Sequence, residues 1–526
     1  MTNGIGDVEN AEVIFVIGSN PRENHPVIGA KIKEAKRNGA KLIIADPRKI
    51  DLSNESDLFL QLKLGTNIAL INGMIHVIIE EGLEDRDYIE THTENYRALK
   101  AVVEKYTPEH VAPICGVKAD GIREMARIYA SGRASIFYAM GITQHKTGTN
   151  GVISLSNLAQ VCGNIGIKGG GINPLRGQNN VQGACDMGGL PDVLTCSQDY
   201  TNPVVKQLFE GEWGTKLPQK PGLTIPEIMD GACSNTIKCL FIMGENPMLS
   251  DPDMNHIRHA LDSLDFLIVQ DIFLTETAER AHVVLPAMAF AEKDGTFTNT
   301  ERRVQRVRKA VDGPGESKED WRILMELMNR LGQDRKYAHP REIMDEIARL
   351  TPPYRGISYE RIENAGLQWP VPHKEHMGTP ILHANGPIRG KGYFCAVEYE
   401  PSAEQVSATF PYLLTNGRNL YHYHTRTMTG RVKELNEKSP CSYVEINPLT
   451  LEKLGLEDGS KVKITSARGH ITTHVKSHEG IMEELFFMPF HFADGAANVL
   501  TGTNLDEKCG IPELKVSAVN IEPALA

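Results

Sequence analysis

No C-x-x-C pair occurs among the nine cysteines, at 115, 162, 185, 196, 233, 239, 395, 441 and 509. Such scatter frames neither a disulfide scaffold nor a zinc or iron–sulfur site, and most of the thiols are expected to be buried as small hydrophobes. Long apolar runs are missing as well: the best, residues 68–79, is broken by Asn72 and His76 and falls short of the ~18 residues a spanning helix needs. No membrane span is expected. Basic excess is also absent, since 56 Lys+Arg against 67 Asp+Glu give a net charge of −11, which removes the positive face that nucleic-acid binding requires. The opening residues Met1-Thr2-Asn3-Gly4-Ile5-Gly6-Asp7 carry no basic stretch leading into an apolar one, so no export signal is read and a cytoplasmic location is expected.

What is present fits a multidomain globular chain. The 526 residues are 41% hydrophobic and 23% charged, enough for about three to four domains. Residues 12–18, EVIFVIG, read as a buried strand that runs into the turn Ser19-Asn20-Pro21, a helix over 26–38 closed by Gly39, and a second strand, KLIIADP. Further helices are expected at 67–81 and 121–131, then a strand at 134–140. The unit recurs at 239–247, CLFIMGENP, followed by a helix over 254–264 and a strand over 266–270. VIGSNP matches IMGENP, and the acid that closes the next strand falls 28 residues after Gly18, at Asp46, and 27 after Gly244, at Asp271. Paired turns and acids of this kind suit two nucleotide-like half-sites, the turn facing phosphate and the carboxylate facing a ribose or a base edge. Neither copy contains G-x-G-x-x-G, which disfavours an ordinary NAD-dependent dehydrogenase.

Between the copies, residues 163–189 hold nine glycines with the core GINPLRGQNNVQGACDMGGLP. Linkers are repetitive and Gly/Ser-rich, whereas this stretch mixes Asn, Gln, Arg, Cys, Asp and Met, so it reads as a site loop. Its lone Arg176 suits a carboxylate or phosphate, flanked by the amides of Gln178, Asn179 and Asn180; Cys185 reads as a packed thiol. The basic run at 302–309, RRVQRVRK, alternates and is expected to be a solvated strand face. The Pro-rich residues 351–372 read as loop. After Pro401 short alternating strands, PYLLTNGR, SYVEINP, SKVKITSARGHITTHVKS and ELFFMPF, suggest a small barrel. The turn Tyr421-His422-Tyr423-His424 is expected to hydrogen-bond a polar ligand in preference to a metal.

The chain resembles the molybdopterin-dependent oxidoreductases of the dimethyl sulfoxide reductase superfamily, and among them the catalytic (alpha) subunits of formate dehydrogenase. The resemblance rests on residues 171–191, supported by VIGSNP, ADPRK, AMGITQ, IMGENP, VQDIF and HYHTRTMTGR. It implies a multidomain α/β fold with two dinucleotide-binding units and a C-terminal double-psi β-barrel, divided as 1–175, 176–290, 291–400 and 401–526. It implies a bis(molybdopterin guanine dinucleotide) cofactor carrying Mo or W, formate as substrate and CO2 as product, and iron–sulfur electron-transfer or NAD(P)/hydrogenase-type partner subunits. By the same resemblance Arg176 holds the formate carboxylate and Gln178 contacts the pterin. Cofactor contacts carry over to Gly18, Asn20, Asp46, Arg48, Gly65, Asn67, Met140, Gly141, Gln144, Gly244, Glu245, Asn246, Gln270, Asp271, Asp320, Arg418, His422, His424 and Lys515.

The family's 4Fe-4S cysteines and its metal-ligating Cys or selenocysteine, followed by His, have no counterpart here, so no metal ligand is assigned. Residues 1–4 are expected to match a segment just after that ligand, as in a selenoprotein fragment called from the next Met beyond a UGA codon, and such a chain is expected to be inactive alone. The alternatives are a nitrate or polysulfide reductase of the same superfamily, a non-catalytic subunit of an electron-transfer complex, and a nucleotide-binding protein unrelated to molybdenum.

Overall fold

The computed structural model describes residues 1–524, in two compact units. The first comprises Met1–Leu175, Leu249–Asn255 and the chain from Ile381 onward; the second comprises Arg176–Met248 and His256–Pro380.

The first unit is built on a five-stranded parallel sheet in the order Leu58–Leu60, Lys41–Ala45, Val13–Ile17, Ala134–Tyr138, Ile172–Pro174. Every residue of Val13–Ile17 is buried, because a strand inside a parallel sheet is covered on both faces and reads as a continuous apolar run. Its side chains alternate between two cores. Val13, Phe15 and Ile17 pack with Leu70, Ile71 and Met74 of the helix Asn67–Glu80, while Ile14 and Val16 pack with Ile28, Ile32 and Ala35 of the helix Pro26–Arg37. Pro26 suits the first turn of that helix, where a missing N–H costs nothing. The helix expected over 121–131 lies at Ala119–Tyr129.

The same unit contains the closed six-stranded barrel, in the order Tyr412–Gly417, Leu485–Pro489, Tyr443–Ile446, His470–Ser477, Lys461–Thr465, Ser517–Pro523. Period-two alternation turns Val462, Ile464, Ile471 and Val475 into a core with Val444, Phe486 and Met488. The N-terminal residues join this later part of the chain: Asn3 bridges Ile381, and Leu382 donates its N–H to the Thr2 oxygen at 2.8 Å.

In the second unit a three-stranded parallel sheet runs Val283–Pro286, Phe266–Asp271, Cys239–Met243. Ile242, Leu267 and Val269 pack against Ile257, Ala260 and Leu261 of the helix Met254–Asp262. An antiparallel sheet follows, in the order Gly295–Thr298, Arg303–Val307, Leu367–Gln368.

The basic run corrects an expectation. Its strand is central in that antiparallel sheet, and although Arg308 and Lys309 are exposed as expected, Arg302, Arg303 and Arg306 are covered and paired. Arg302 is 2% exposed and donates to the oxygens of Trp369, Thr379 and Pro380. Arg303 pairs with Glu301 at 2.8 Å, and Arg306 pairs with Glu363 at 2.8 Å over the Tyr359 ring. Charge alternation marks the strand, but it does not say whether water or carboxylates face the charges. The Pro-rich segment also does more than connect, because Tyr354, Ile357, Tyr359 and Ile362 bury themselves in the core beside Val304. Among the cysteines only Cys115 is fully buried; Cys239 and Cys509 are exposed and the other six are intermediate, so the burial expected for most of them does not hold.

Candidate functional site

The first half-site is two turns in backbone contact. Gly18 has a φ of +56° and accepts the Gly141 N–H at 3.1 Å. A Cβ on Gly18 would lie 2.7 Å from the Gly141 carbonyl carbon, and one on Gly141 would lie 2.6 Å from the Gly18 Cα, so the two glycines let the turns meet. Asn67 Nδ2 donates to the Gly141 oxygen at 3.2 Å, just after Gly65 at φ +80°. Met140 opens the short helix Met140–Thr143, and the Gln144 N–H closes it on the Met140 oxygen at 3.0 Å. Gly18, Asn67, Met140, Gly141 and Gln144 are thereby gathered from three sequence segments.

Beside them stand buried charges. Burial pushes the Asp46 carboxyl up to about 6, although the Arg48 N–H donates to it and Arg48 and Lys515 attract its charge. Lys515 reaches Asn416 by its Nζ at 2.8 Å and its N–H meets the Gln144 oxygen at 3.3 Å. Burial, aided by repulsion from Arg418, pulls its ammonium down to about 7. Arg418 is itself lowered by burial. Arg48 pairs with Glu445 of the barrel at 2.8 Å and lies 3.4 Å from the centre of the Phe487 ring. The two histidines differ. His422 is held within the barrel, Nδ1 at 3.1 Å from Thr429 Oγ1 and Nε2 at 2.7 Å from the Ser439 oxygen. His424 packs edge-on against Phe490, and burial with the Arg418 charge brings it down to about 4, so it is neutral at pH 7.

The second half-site has the same strand and turn in different surroundings. Gly244 has a φ of +65° and donates its N–H to the Gln270 oxygen at 2.9 Å, but nothing lies within 4 Å of where a Cβ would be. Here glycine serves conformation alone. Burial raises the Glu245 carboxyl above its usual range. Asn246 spans Glu276 at 2.8 Å and Thr277 Oγ1 at 2.7 Å, and Asp271 caps its own turn by accepting the Ile272 N–H at 2.6 Å. Gln270 Nε2 donates to Asp320 at 2.7 Å, and Lys293 pairs with the other Asp320 oxygen. Lys293 escaped the sequence reading; no spacing signal connects it to Gln270.

The glycine-rich stretch is structured, with the strand Ile172–Pro174 and the helix Val181–Asp186. Arg176 donates its backbone N–H to Thr300 Oγ1 at 3.2 Å and its Nε to Gln182 Oε1 at 3.2 Å. Gln178, half-buried, accepts the Val181 N–H at 3.4 Å. Cys185 is likewise half-buried.

The two copies carry buried polar atoms with no hydrogen-bond partner in the protein: Ser19 Oγ and Asn20 Oδ1 in the first, Gln270 Oε1 in the second. Buried polar atoms are normally satisfied. Within the first unit, Ser19 and Asn20 together with the half-buried cations Lys515 and Arg418 fit an anionic ligand rich in donors and acceptors, as a pterin dinucleotide is. The sequence marks Ser19 only as part of the phosphate-facing turn; its side chain, a serine hydroxyl in a turn, carries no signal of its own.

Two like α/β turn units and a closed six-stranded barrel define a multidomain α/β protein with polar turns of nucleotide-binding type. The molybdopterin oxidoreductase family model matches residues 1–330, and that of the molydopterin dinucleotide binding domain matches residues 412–518. The chain belongs to the molybdopterin oxidoreductase family, and its cofactor is a molybdopterin. It is 51% identical to the F420-dependent formate dehydrogenase subunit alpha of Methanocaldococcus jannaschii, over 99% of this chain and 78% of that protein. It is 38% identical to formate dehydrogenase H of Escherichia coli K12, over 99% of this chain and 74% of that one. Among solved structures, acetylene hydratase from Pelobacter acetylenicus aligns at a TM-score of 0.78 and 19% identity, over 99% of this chain and 81% of that one, a likeness of fold alone. Among the described residues no helix is long and apolar enough to cross a membrane.

Proposed function

We propose that this chain is the catalytic subunit of a formate dehydrogenase, oxidising formate to CO2 with loss of two electrons and one proton, or running the reverse. The observation that supports it most is the 51% identity to a formate dehydrogenase subunit alpha along 99% of the chain, with 38–47% identity to other formate dehydrogenases. The cofactor in this reading is bis(molybdopterin guanine dinucleotide) with Mo or W. Residues 1–175 and 176–290 each serve one dinucleotide, 291–400 connect, and 401–526 supply the C-terminal binding barrel. When bound, the metal–dithiolene centre supplies the two-electron acceptor.

The protein's own groups bind and orient. Arg176 takes the formate carboxylate through charge-assisted hydrogen bonds, which fixes the direction of the C–H, and Gln178 contacts the pterin beside it. Lys515 and Arg418 neutralise phosphate. Asp46 and Asp271 accept from ribose or base edges, and Ser19, Asn20 and Gln270 complete their hydrogen bonds on the ligand. A neutral His424 at pH 7 adds no charge to the site. Electrons leave to a partner subunit of iron–sulfur type. Three relatives named as F420-dependent, 45–51% identical, favour a deazaflavin as the final acceptor, reduced by the electron pair with uptake of two protons. The nine free thiols support a reducing, cytoplasmic setting.

The test is to purify the protein with its partner subunits, measure metal and pterin content, and assay formate-dependent reduction of a viologen and of F420. Formate-dependent reduction that Arg176→Ala removes supports the proposal. Full cofactor content with turnover of nitrate or polysulfide, and none of formate, overturns it.

A further inference from the structure

We propose that Gln182 and Asp186 are positioning residues for Arg176, an inference that rests on the formate reading above. Gln182 and Asp186 lie one turn apart on the helix Val181–Asp186 and are 9% and 5% exposed. Gln182 touches Arg176 through Oε1, at 3.2 Å from Nε, and touches Asp186 through Nε2, at 2.8 Å from Oδ1. Asp186 Oδ2 in turn accepts from Tyr354 Oη at 2.9 Å and from Trp369 Nε1 at 2.6 Å. The residues run in a line from the protein interior to the arginine.

Direction is what makes the line functional. A glutamine amide has a donor end and an acceptor end, and only the acceptor end attracts a guanidinium. A carboxylate accepts only, so Asp186 compels Gln182 to turn its amino group inward and its oxygen toward Arg176. Burial raises the Asp186 carboxyl, and the hydrogen bonds it accepts from Gln182, Tyr354 and Trp369 act against that rise and favour the accepting carboxylate. The Arg176 Nε bond then sets the plane of the guanidinium, while the Thr300 hydroxyl fixes its backbone. A carboxylate substrate meets a fork whose orientation is settled before binding, and less ordering is left to the encounter.

An asparagine at 186 breaks the logic without changing shape. Its oxygen is claimed by Tyr354 and Trp369, its amino group then faces Gln182, and the Gln182 amide must flip and turn its own amino group on Arg176. Gln182→Met keeps the volume and removes the amide altogether.

The experiment uses the cofactor-loaded enzyme with its partner subunits and compares Asp186→Asn, Gln182→Met and Arg176→Lys. Asp186→Asn and Gln182→Met are each expected to raise the KM for formate about tenfold, the scale of one charge-assisted hydrogen bond, with a much smaller change in kcat and unchanged metal and pterin content. A second readout needs no turnover: phenylglyoxal modification of Arg176, followed by peptide mass spectrometry with no electron acceptor present, reports the formate concentration that half-protects the arginine. That concentration should rise in step with KM. If Asp186→Asn fails to fold, Gln182→Met decides alone. Should Arg176→Lys raise KM while Gln182→Met leaves KM and protection as in the parent, the positioning role is wrong and the formate site stands. If Arg176→Lys itself leaves KM unchanged, the carboxylate-binding role of Arg176 falls first.

Discussion

Arg48 Nη2 and Glu445 Oε2 lie 2.8 Å apart although 397 residues separate them, and the Glu445 side chain is only 4% exposed. The pair joins the loop after the second strand of the parallel sheet to a barrel strand within one compact unit. Lys476 shares the other Glu445 oxygen at 3.1 Å. Burial alone would raise this carboxyl; Arg48 and Lys476 outweigh it and hold the carboxyl below its ordinary value of 4.5. The stabilisation is therefore present above pH 4.5 and is lost as the pH falls through the lower folded value. Glu445→Gln is expected to destabilise the protein by about 3 kcal/mol at pH 7, leaving Arg48 buried without its carboxylate. Unfolding followed at pH 7 and again below pH 4 should show the difference between variant and parent shrinking in acid.

Lys515 and Asp46 give opposite pH dependences. The Lys515 ammonium drops from 10.5 to about 7 on folding, so its burial cost is complete below pH 7 and fades as the pH rises toward 10.5. The Asp46 carboxyl rises from 3.8 to about 6, so its cost is complete above pH 6 and fades as the pH falls toward 3.8. Lys515→Met should raise the melting temperature of the cofactor-free protein at pH 6 and have no such effect near pH 10. Asp46→Asn should raise it at pH 8 and not at pH 4. Both variants should purify with less molybdopterin, measured by the fluorescence of its oxidised form. Equal melting shifts at all pH values would disprove the assignment.

The two copies of the turn should respond differently to alanine. Gly141→Ala places a Cβ 2.6 Å from the Gly18 Cα, with backbone on both sides and no flexible side chain to yield, and should cost about 3 kcal/mol as an overpacked contact. Gly244→Ala meets no atom within 4 Å and carries only the penalty of φ +65°, about 1–2 kcal/mol. Thermal unfolding of the two variants should rank them in that order, and the reverse order would mean that the turns separate readily.

Much of this architecture was legible in the chain. The first strand of each copy appears in EVIFVIG, buried on both faces, and in CLFIMG, an edge strand with Cys239 and Met243 exposed, and the turns that follow them are marked by a glycine and an Asn-Pro pair. The contacts that build the half-sites were not legible, because Gly18 meets Gly141, Gln270 meets Asp320 and Arg48 meets Glu445 across long loops that leave no periodic trace. Asp186 was hidden differently. Its spacing of four from Gln182 is a helical signal, but six residues set among glycines do not read as a helix. Arg302 shows the opposite failure, where alternation was visible and its partners were not.

Arg302 supplies the last expectation. It is 2% exposed and satisfies three backbone oxygens, those of Trp369, Thr379 and Pro380. Arg302→Met keeps most of the volume but strands those acceptors, and should cost about 3 kcal/mol or more. Limited proteolysis should show faster cleavage within residues 351–380 while residues 1–175 stay protected.

The pairing of Asn3 with Ile381, and of Thr2 with Leu382, sets a timetable for biosynthesis. A ribosome adding ~5–20 residues per second needs roughly 20–75 s to travel from one partner to the other. Once Pro174 has been made all five strands of the parallel sheet exist, but for the rest of that interval the barrel that supplies Glu445 and Lys515 does not. The nascent first unit thus waits with Asp46 and Arg48 lacking the barrel's Lys515 and Glu445. A chaperone that holds the emerging sheet, and releases it only to a completed chain, is the handling such connectivity calls for.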